Sequence, residues 1–286
     1  MNNKTYTEYK KMMYNLNTSL MDSVKLPNVD YPTKIYKYGH FDNNGYWKET
    51  IYNGLVFLQK PLKFNDPFDC NIRFDTKAWE MYFEEQAKKL YDTSNISDSQ
   101  LKTIVSETLS QYFPTLQKIY KEETFVSCFS EIYDSILMWS HYSNKHRGFC
   151  IEYKTGDIPF LPVIYTDEIY DSTNCIVAKD KKAALNILFH KSDVWNYEKE
   201  WRIFYSKEIQ FTGNNNYITK DNNDEKIIIK NNNYYYDLRK NMKAIYLGIN
   251  STPSLEFMNW ASKHHIKIFK MQLHKKYYKL IPKRIY

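Results

Sequence analysis

The sequence lacks the motifs that mark most nucleotide-binding and metal-binding domains. It contains neither G-x-G-x-x-G nor G-x-x-x-x-G-K-[ST], which excludes the standard phosphate-binding loops. Its four cysteines lie far apart and form no C-x-x-C pair, which excludes a zinc site of the usual spacing. No run of eighteen apolar residues is present, so we expect no membrane span and no membrane partner. These absences predict a protein that needs no metal.

Glycine is also scarce, and the first residues do not resemble a secretory leader. Seven glycines in 286 residues exclude collagen-like and flexible-linker proteins. The first six residues lack the apolar segment of a secretory signal. Cys128 and Cys150 lie in apolar, strand-like runs, as buried reduced thiols do. The sequence therefore predicts a cytoplasmic globular protein.

Basic residues exceed acidic ones, with 40 Lys and Arg against 33 Asp and Glu, a net charge of +7. The densest basic stretch is the C-terminal segment, where tyrosines lie among the charges. This segment is either a solvated face or a contact for nucleic acid through its phosphates. Its basic residues are Lys263, Lys267, Lys270, Lys275, Lys276, Lys279, Lys283 and Arg284, with Tyr277, Tyr278 and Tyr286 among them.

Hydrophobic periodicity predicts an α+β fold without the regular strand–helix alternation of a Rossmann domain. An N-terminal helix over 4–24, in a segment 1–30, precedes a single α+β domain over 31–286. The helical pattern of 76–120, interrupted at 92–97, predicts an inserted helical hairpin at about 75–121. The other predicted strands are 35–38, 55–58, 124–129, 148–153, 198–205, 243–248 and 266–271, and the other helices are 46–53, 135–142, 176–191 and 253–264.

The run from Trp195 to Arg202 is the sharpest local signal for chemistry. On a strand, Glu198, Glu200 and Arg202 share one face, while Trp201 and Ile203 point into the core. Two carboxylates about 7 Å apart can polarise a hydroxyl and stabilise a developing cation. The alternative is an exposed ladder of ion pairs in which Arg202 neutralises Glu200.

A second constellation joins Ser127–Ser130 to the helix that carries His141 and Tyr142. His141 is a candidate base or hydrogen-bond donor, and Tyr142 a candidate stacking platform. The alternative is an amphipathic helix with a satisfied histidine. A Ser-His-Asp hydrolase is disfavoured, because neither Ser127 nor Ser130 lies in a G-x-S-x-G elbow.

A third constellation pairs Tyr36–His40 with Phe64–Asp69. His40, Asp66 and Asp69 are conceivable metal ligands, although their spacing is a weak signal. The favoured interpretation is a turn capped by Asp66, with Asp69 in the first turn of a helix.

Taken in order, these motifs resemble one bacterial family, the domain-of-unknown-function 2971 family, over roughly residues 34–250. The resemblance extends to proteins linked with abortive infection by phage, and implies a role in phage defence without implying an activity. The matching motifs are Tyr36-Lys37-Tyr38, Phe64–Asp69, Cys128–Ser130, Met138–Tyr142 with Gly148-Phe149, and Trp195-x-Tyr197-Glu198-x-Glu200-x-Arg202.

More distantly, the chain resembles ADP-ribosyltransferases, which clamp NAD across a split mixed sheet. Lys37 or Tyr38, where that family has Arg or His, corresponds to the first motif position. Ser130 corresponds to the second, and Glu198-x-Glu200 to the third. The resemblance implies a split mixed β-sheet flanked by helices, with NAD as substrate and an unidentified protein or nucleic acid as acceptor.

The same resemblance implies roles for the motif residues. Glu200 would stabilise the ribose cation left when nicotinamide departs, and Glu198 would orient or deprotonate the acceptor. Ser130 and Tyr142 would position the nicotinamide ribose.

In the same scheme Arg202 or Lys37 would meet the pyrophosphate. Two other functions stay open. One is a nuclease-like toxin that uses His141, Glu198 and Glu200, and the other is a non-catalytic ligand-sensing module of a defence system.

Overall fold

The computed structural model describes residues 30–156, 158–171, 187–213, 216–221 and 224–286. The helix predicted over 4–24 lies outside these residues, as does most of the helix predicted over 176–191. The end of that second helix was predicted wrongly, because His190–Ser192 is a strand.

The strands of the described residues are short, and seven of the seventeen follow the apolar runs that predicted them. In chain order they are β1 (Lys34–Gly39), β2 (Leu55–Leu58), β3 (Ile72–Arg73), β4 (Thr124–Ser130), β5 (Phe149–Lys154), β6 (Leu161–Pro162), β7 (Ile164–Thr166), β8 (Tyr170–Asp171), β9 (His190–Ser192), β10 (Glu200–Ser206), β11 (Glu208–Gly213), β12 (Asn216–Lys220), β13 (Ile227–Lys230), β14 (Asn233–Asp237), β15 (Met242–Leu247), β16 (Lys267–Leu273) and β17 (Leu280–Arg284).

Within the described residues, eight of these strands form one mixed sheet in the order β17-β16-β15-β5-β1-β4-β10-β6. All neighbours are antiparallel except β15 and β16, which are parallel and are joined by a helix. A three-stranded sheet, β13-β14-β2, and the pairs β11-β12, β3-β8 and β7-β9 accompany it. The predicted α+β class with a mixed sheet is therefore confirmed.

Four of the five helices begin at a residue whose side chain caps the first turn. Ser135 accepts from the N–H of Met138, and Ser254 from that of Phe257, so each satisfies a free donor of a first helical turn. The helices are α1 (Tyr46–Tyr52), α2 (Thr76–Leu90), α3 (Asp98–Glu123), α4 (Ile136–Tyr142) and α5 (Leu255–Lys263).

Helices α2 and α3 form the predicted helical hairpin. Ser97 begins α3 with a capping box, since its hydroxyl accepts from the N–H of Gln100 and the Gln100 side chain accepts from the N–H of Ser97. The hairpin has its own small core, in which the ring of Phe113 stacks on that of Phe74 with centroids 4.1 Å apart. It packs its apolar residues separately from the cores on the main sheet.

The main sheet is almost divided between β1 and β4. β1 pairs with β5 along its whole length, and β4 pairs with β10 in the same way. Between β1 and β4, by contrast, Tyr36 opposite Ser130 is the single register pair in the described residues. Next to this pair, Nζ of Lys37 donates to the carbonyl of Cys128 at 3.1 Å. A lysine side chain thus takes the place of a main-chain ladder at this seam.

The two faces of β10 have opposite characters. Trp201 and Ile203 point into the largest apolar core, as predicted, while Glu200 and Arg202 lie on the other face and are also buried. Because the alternation of a strand sends successive side chains to opposite sides, one strand supplies both an apolar core and a buried polar layer. Arg202 does pair with Glu200, but the alternative interpretation that this ion pair is exposed is wrong.

The strand predicted over 198–205 begins later than expected. Asp193–Glu198 is a 3-10 helix, and Lys199 follows it in the left-handed conformation with φ of 47°. Glu198 therefore precedes the strand, and its position relative to Glu200 is set by this turn rather than by strand alternation.

In the described ranges, none of the helices combines the length and apolar character that crossing a membrane requires. Cys70, Cys128 and Cys150 are free thiols there; Cys150 is buried as predicted, whereas Cys128 is only partly buried. Cys175 lies outside the described residues.

Candidate functional site

Five charged side chains from four structural elements are buried together on the outer half of the main sheet. Asp69 comes from the turn after Phe64, Lys191 from β9, and Glu200 and Arg202 from β10. Glu198 ends the 3-10 helix that connects β9 to β10. Each is at least nine-tenths buried, so their charges must be balanced within the cluster.

Arg202 is completely buried and has an acceptor for each of its five N–H groups. Its Nε and Nη2 donate to the two carboxylate oxygens of Glu200, at 2.7 and 3.2 Å. Nη1 and Nη2 donate to the two oxygens of Asp69 at 2.9 and 2.7 Å, and Nη1 also to the carbonyl of Leu188 at 2.6 Å. A guanidinium saturated in this way is structural. The predicted contact of Arg202 with a pyrophosphate does not fit this geometry.

Lys191 places its ammonium group between three carboxylates. Nζ lies 2.6 Å from Oε2 of Glu198, 2.9 Å from Oε2 of Glu200 and 3.6 Å from Oδ2 of Asp69. It also lies 5.1 Å from the ring centroid of Trp195. The ammonium group thus occupies the place between the carboxylates where a divalent cation would otherwise bind. The described residues contain no group of three His, Cys, Asp or Glu side chains arranged to hold a metal.

The two glutamates differ in their protonation energetics. Burial alone would raise the pKa of the Glu200 carboxyl, but Arg202 and Lys191 outweigh it, and the pKa lies well below its usual range. Burial raises the pKa of Glu198, and the Lys191 ammonium offsets only part of the rise. Three carboxyls face two cations, and Glu198 is the glutamate that takes up a proton more readily.

Glu198 is held at its side chain and at its main chain. The hydroxyl of Tyr142 donates to Oε1 at 2.6 Å, and Lys191 donates to Oε2. The hydroxyl of Ser130 donates to the main-chain carbonyl of Glu198 at 2.6 Å, and accepts from the N–H of Ile132. Ser130 therefore shapes the turn that carries Glu198, and is itself fully buried.

Partly exposed aromatic side chains separate Glu198 from solvent. Tyr142 is half-buried and lies near the exposed side chain of Asn65. Trp195 and Tyr197 are half-buried beside it on the 3-10 helix. Glu198 is itself buried, and its hydrogen-bond partner Tyr142 connects it to the surface.

The first motif position lies at the seam of the sheet. Lys37 runs over the ring of Phe129, with Nζ 5.1 Å from its centroid, and burial lowers the pKa of its ammonium. The hydroxyl of Tyr38 donates to the carbonyl of Ile132 at 3.0 Å, and its ring meets that of Trp139 edge-on. Lys37 lies towards β4, whereas Tyr38 is engaged in packing on the opposite face of β1.

His141 and most of the third constellation lie apart from the cluster. Asp69 is the exception. His141 is exposed at the end of α4, next to Tyr142. Asp66 caps a turn as predicted, because its Oδ1 accepts from the N–H of Phe68 at 2.8 Å. Asp69 was predicted to lie in a helical turn, but it lies in a turn without a helix and joins the cluster.

Sequence reasoning missed Asp69 and Lys191 as partners of the glutamates, and also Tyr165. The hydroxyl of Tyr165 accepts from the N–H of Glu200 at 2.8 Å. Asp69 is 133 residues from Arg202 along the chain, a separation that no local spacing reveals. One feature of the sequence does indicate a further cation. Two glutamates and one arginine on a buried face leave one negative charge unbalanced, and a buried charge requires a partner.

Comparison with known proteins gives one finding for this region. A family model described as protein of unknown function (DUF2971) matches residues 138–203. No curated protein and no solved structure matches the chain. The matched segment runs from α4 to β10 and contains Tyr142, Lys191, Glu198 and both charged residues of β10. The chain is therefore similar to the DUF2971 family over the segment that carries most of the buried site, which confirms the resemblance predicted from its motifs.

Proposed function

We propose that the protein cleaves the bond between nicotinamide and ribose in NAD, and transfers the ADP-ribosyl group to water or to a protein or nucleic-acid acceptor. The observation that carries the proposal is Glu198, a buried carboxyl of raised pKa held between Lys191 and the partly exposed Tyr142. Perturbed carboxyls in such positions are typical of catalytic sites.

The reaction suits a site with one reactive carboxyl. When the C1′–N bond breaks, its electron pair goes to the pyridinium nitrogen, so nicotinamide leaves as a neutral molecule and needs no general acid. The ribose cation that forms needs nearby negative charge. The acceptor oxygen then bonds to C1′ and its proton passes to the Glu198 carboxylate.

In this proposal the two glutamates take different roles from those implied by the resemblance. Both oxygens of Glu200 are bound by Arg202, and one is also bound by Lys191, so Glu200 holds the cations in place. Glu198 has only Tyr142 and Lys191 on its carboxyl, and Tyr142 is itself partly exposed. We therefore place the reacting carboxylate at Glu198, and the contact with the nicotinamide ring at Tyr142 and Trp195.

The seam between β1 and β4 supports the proposed split-sheet fold. ADP-ribosyltransferases bind NAD where their sheet divides, and here the division has Lys37 on one side and Ser130 on the other. Ser130 connects the seam directly to the turn of Glu198. In this scheme Lys37 is the cation available to the pyrophosphate, since Arg202 is saturated. The family resemblance would make such an enzyme a defence effector.

The proposal is tested by measuring NAD binding and nicotinamide release with the full chain. We expect the parent to release nicotinamide, and Glu198→Gln to bind NAD while losing about 10²- to 10⁴-fold in rate, the usual contribution of a positioned proton acceptor. Glu152→Gln is the matched control, because Glu152 is an equally buried glutamate that bonds Lys34 and Tyr246 elsewhere on the sheet. Absence of NAD binding at millimolar concentration would refute the proposal.

A second candidate function is a non-catalytic module that senses a ligand. It is favoured by one observation, that Arg202, Lys191 and all three carboxyls have partners inside the protein. The same experiment separates it from the enzyme, because a sensor binds NAD without releasing nicotinamide. The nuclease alternative gains no such support, since His141 is exposed at the end of α4.

A further inference from the structure

The net positive charge of this protein is confined to its C-terminal segment. Residues 257–286 hold eight of the 40 Lys and Arg and none of the 33 Asp and Glu. The rest of the chain therefore has 32 basic and 33 acidic side chains and is close to neutral. In the part of the chain that the structure describes, none of the eight basic residues forms an ion pair with an Asp or Glu side chain. They are Lys263, Lys267, Lys270, Lys275, Lys276, Lys279, Lys283 and Arg284.

The structure brings seven of these eight charges, all except Lys263 of α5, to one edge of the main sheet. β16 and β17 form the outermost hairpin, and Lys270 lies directly opposite Lys283 in their register. Like charges facing each other across strands are unfavourable, so this pairing does not serve the stability of the sheet. Lys283 and Arg284 are exposed on the edge strand. Pro282 between Ile281 and Lys283 removes a main-chain donor there and opposes the addition of a further strand from a partner.

The tip of this hairpin combines the charges with exposed aromatic rings. Tyr278 is 101% exposed and Tyr277 is 58% exposed. The tip is ordered by His274, whose Nδ1 accepts from the N–H groups of Lys276 and Tyr277 at 3.0 Å each. Nζ of Lys276 lies 5.6 Å from the ring centroid of Tyr277. Two tyrosines are thus presented to solvent among three lysines, Lys275, Lys276 and Lys279.

We propose that the β16–β17 hairpin is a binding surface for single-stranded nucleic acid. Lysines without acidic partners attract a phosphate backbone, and exposed aromatic rings stack on unpaired bases, which is the combination found in sequence-tolerant single-strand binders. The surface lies on the opposite edge of the main sheet from the buried charged cluster, since β17 and β10 are separated by five strands in the sheet order. The inference is therefore independent of any reaction at Glu198.

Fluorescence anisotropy with a short labelled oligouridine and the full chain tests this surface. We expect the logarithm of the affinity to fall linearly with the logarithm of salt concentration, by about 0.7 per phosphate contact. Replacing both Lys275 and Lys276 by Ala should flatten this slope by roughly 1.4. Tyr278→Ala should weaken binding about tenfold and leave the slope unchanged, because stacking releases no counterions.

The matched controls lie on the helical hairpin. Lys77 and Lys102 are exposed lysines of α2 and α3, and Tyr91 is an exposed tyrosine after α2. Replacing them by Ala should leave binding unchanged. Equal losses in the control and hairpin variants would overturn the proposal, as would absence of binding at about 50 mM salt. Binding to phosphatidylserine vesicles without binding to oligouridine would overturn it in favour of a membrane surface.

Discussion

The hydroxyl of Tyr142 donates a 2.6 Å hydrogen bond to Oε1 of Glu198, although 56 residues separate the two along the chain. Tyr142 is the last residue of α4, and Glu198 is the last residue of the 3-10 helix before β10. The contact therefore joins the two ends of the segment that matches the DUF2971 family. It also connects the buried charged cluster with a partly exposed side chain.

Removing the Tyr142 hydroxyl should shift the acid limb of the pH–activity profile, the side on which activity falls as the pH drops. The proposed reaction needs Glu198 ionised, so the rate of nicotinamide release should fall as the pH drops through its raised pKa. Tyr142→Phe removes a donor that favours the ionised carboxyl, so the limb should move to higher pH. The measurement is kcat/KM for NAD against pH for both proteins. A coincident limb would show that Glu198 does not control the rate.

Arg202 should be essential for stability. Arg202→Met leaves the carboxylates of Asp69 and Glu200 without their shared guanidinium, and breaking a buried ion pair typically costs about 3–5 kcal/mol. Urea unfolding measures the loss. Arg239→Met is the control, because Arg239 pairs with Asp237 on the surface, where we expect little change. Similar losses in the two variants would contradict the structural role of the buried cluster.

Glu198 should destabilise the folded protein at neutral pH. Its folded pKa is raised, so its contribution to stability is present below the unfolded pKa of about 4.3 and is lost as the pH rises towards the folded value. Glu198→Gln mimics the protonated side chain and should therefore unfold at higher urea concentration than the parent at neutral pH. The difference should shrink near pH 4. An amide variant that is less stable at neutral pH would indicate that the ionised form is needed by the fold.

Glu200 should have the opposite effect on acid stability. Its folded pKa is lowered, so its contribution is complete above the unfolded pKa of about 4.3 and is lost as the pH falls further. The free energy of unfolding of the parent should therefore decrease steeply below about pH 4. In Glu200→Gln the protein should be less stable at neutral pH, with a shallower acid decrease. A variant that keeps the full acid slope would assign it to other carboxyls.

Gly148 should not tolerate a side chain. A Cβ at this position would lie 2.1 Å from the main-chain oxygen of Gly39 and 2.9 Å from Cα of His40. Gly148→Ala must therefore displace the start of β5 or the end of β1, with a loss of roughly 1–3 kcal/mol in thermal or urea unfolding. Gly156→Ala is the comparison, because its Cβ would meet only the Asn241 amide at 3.9 Å and its cost comes from a positive φ alone.

Local pattern predicted most of the described elements. The runs that became β1, β4 and β5 alternate or are continuously apolar, and Ser135 gave the start of α4, because these signals act over a few residues. The same reasoning fails at Lys199. A lysine in the left-handed conformation is uncommon, so the sequence predicts a strand that begins at Glu198. It does not predict the turn that sets the position of the Glu198 carboxyl.

The sequence by itself determined the α+β class, the family relationship, and the presence of two glutamates and an arginine around β10. Tertiary structure decided that these charges are buried, that Asp69 and Lys191 neutralise them, and that Glu200 is saturated while Glu198 bonds the partly exposed Tyr142. The physical reason is that helix and strand formation depends on residues a few positions apart, whereas the energy of a buried charge depends on its neighbours in space. Asp69 lies 133 residues from Arg202 along the chain, and only the folded chain brings the two together.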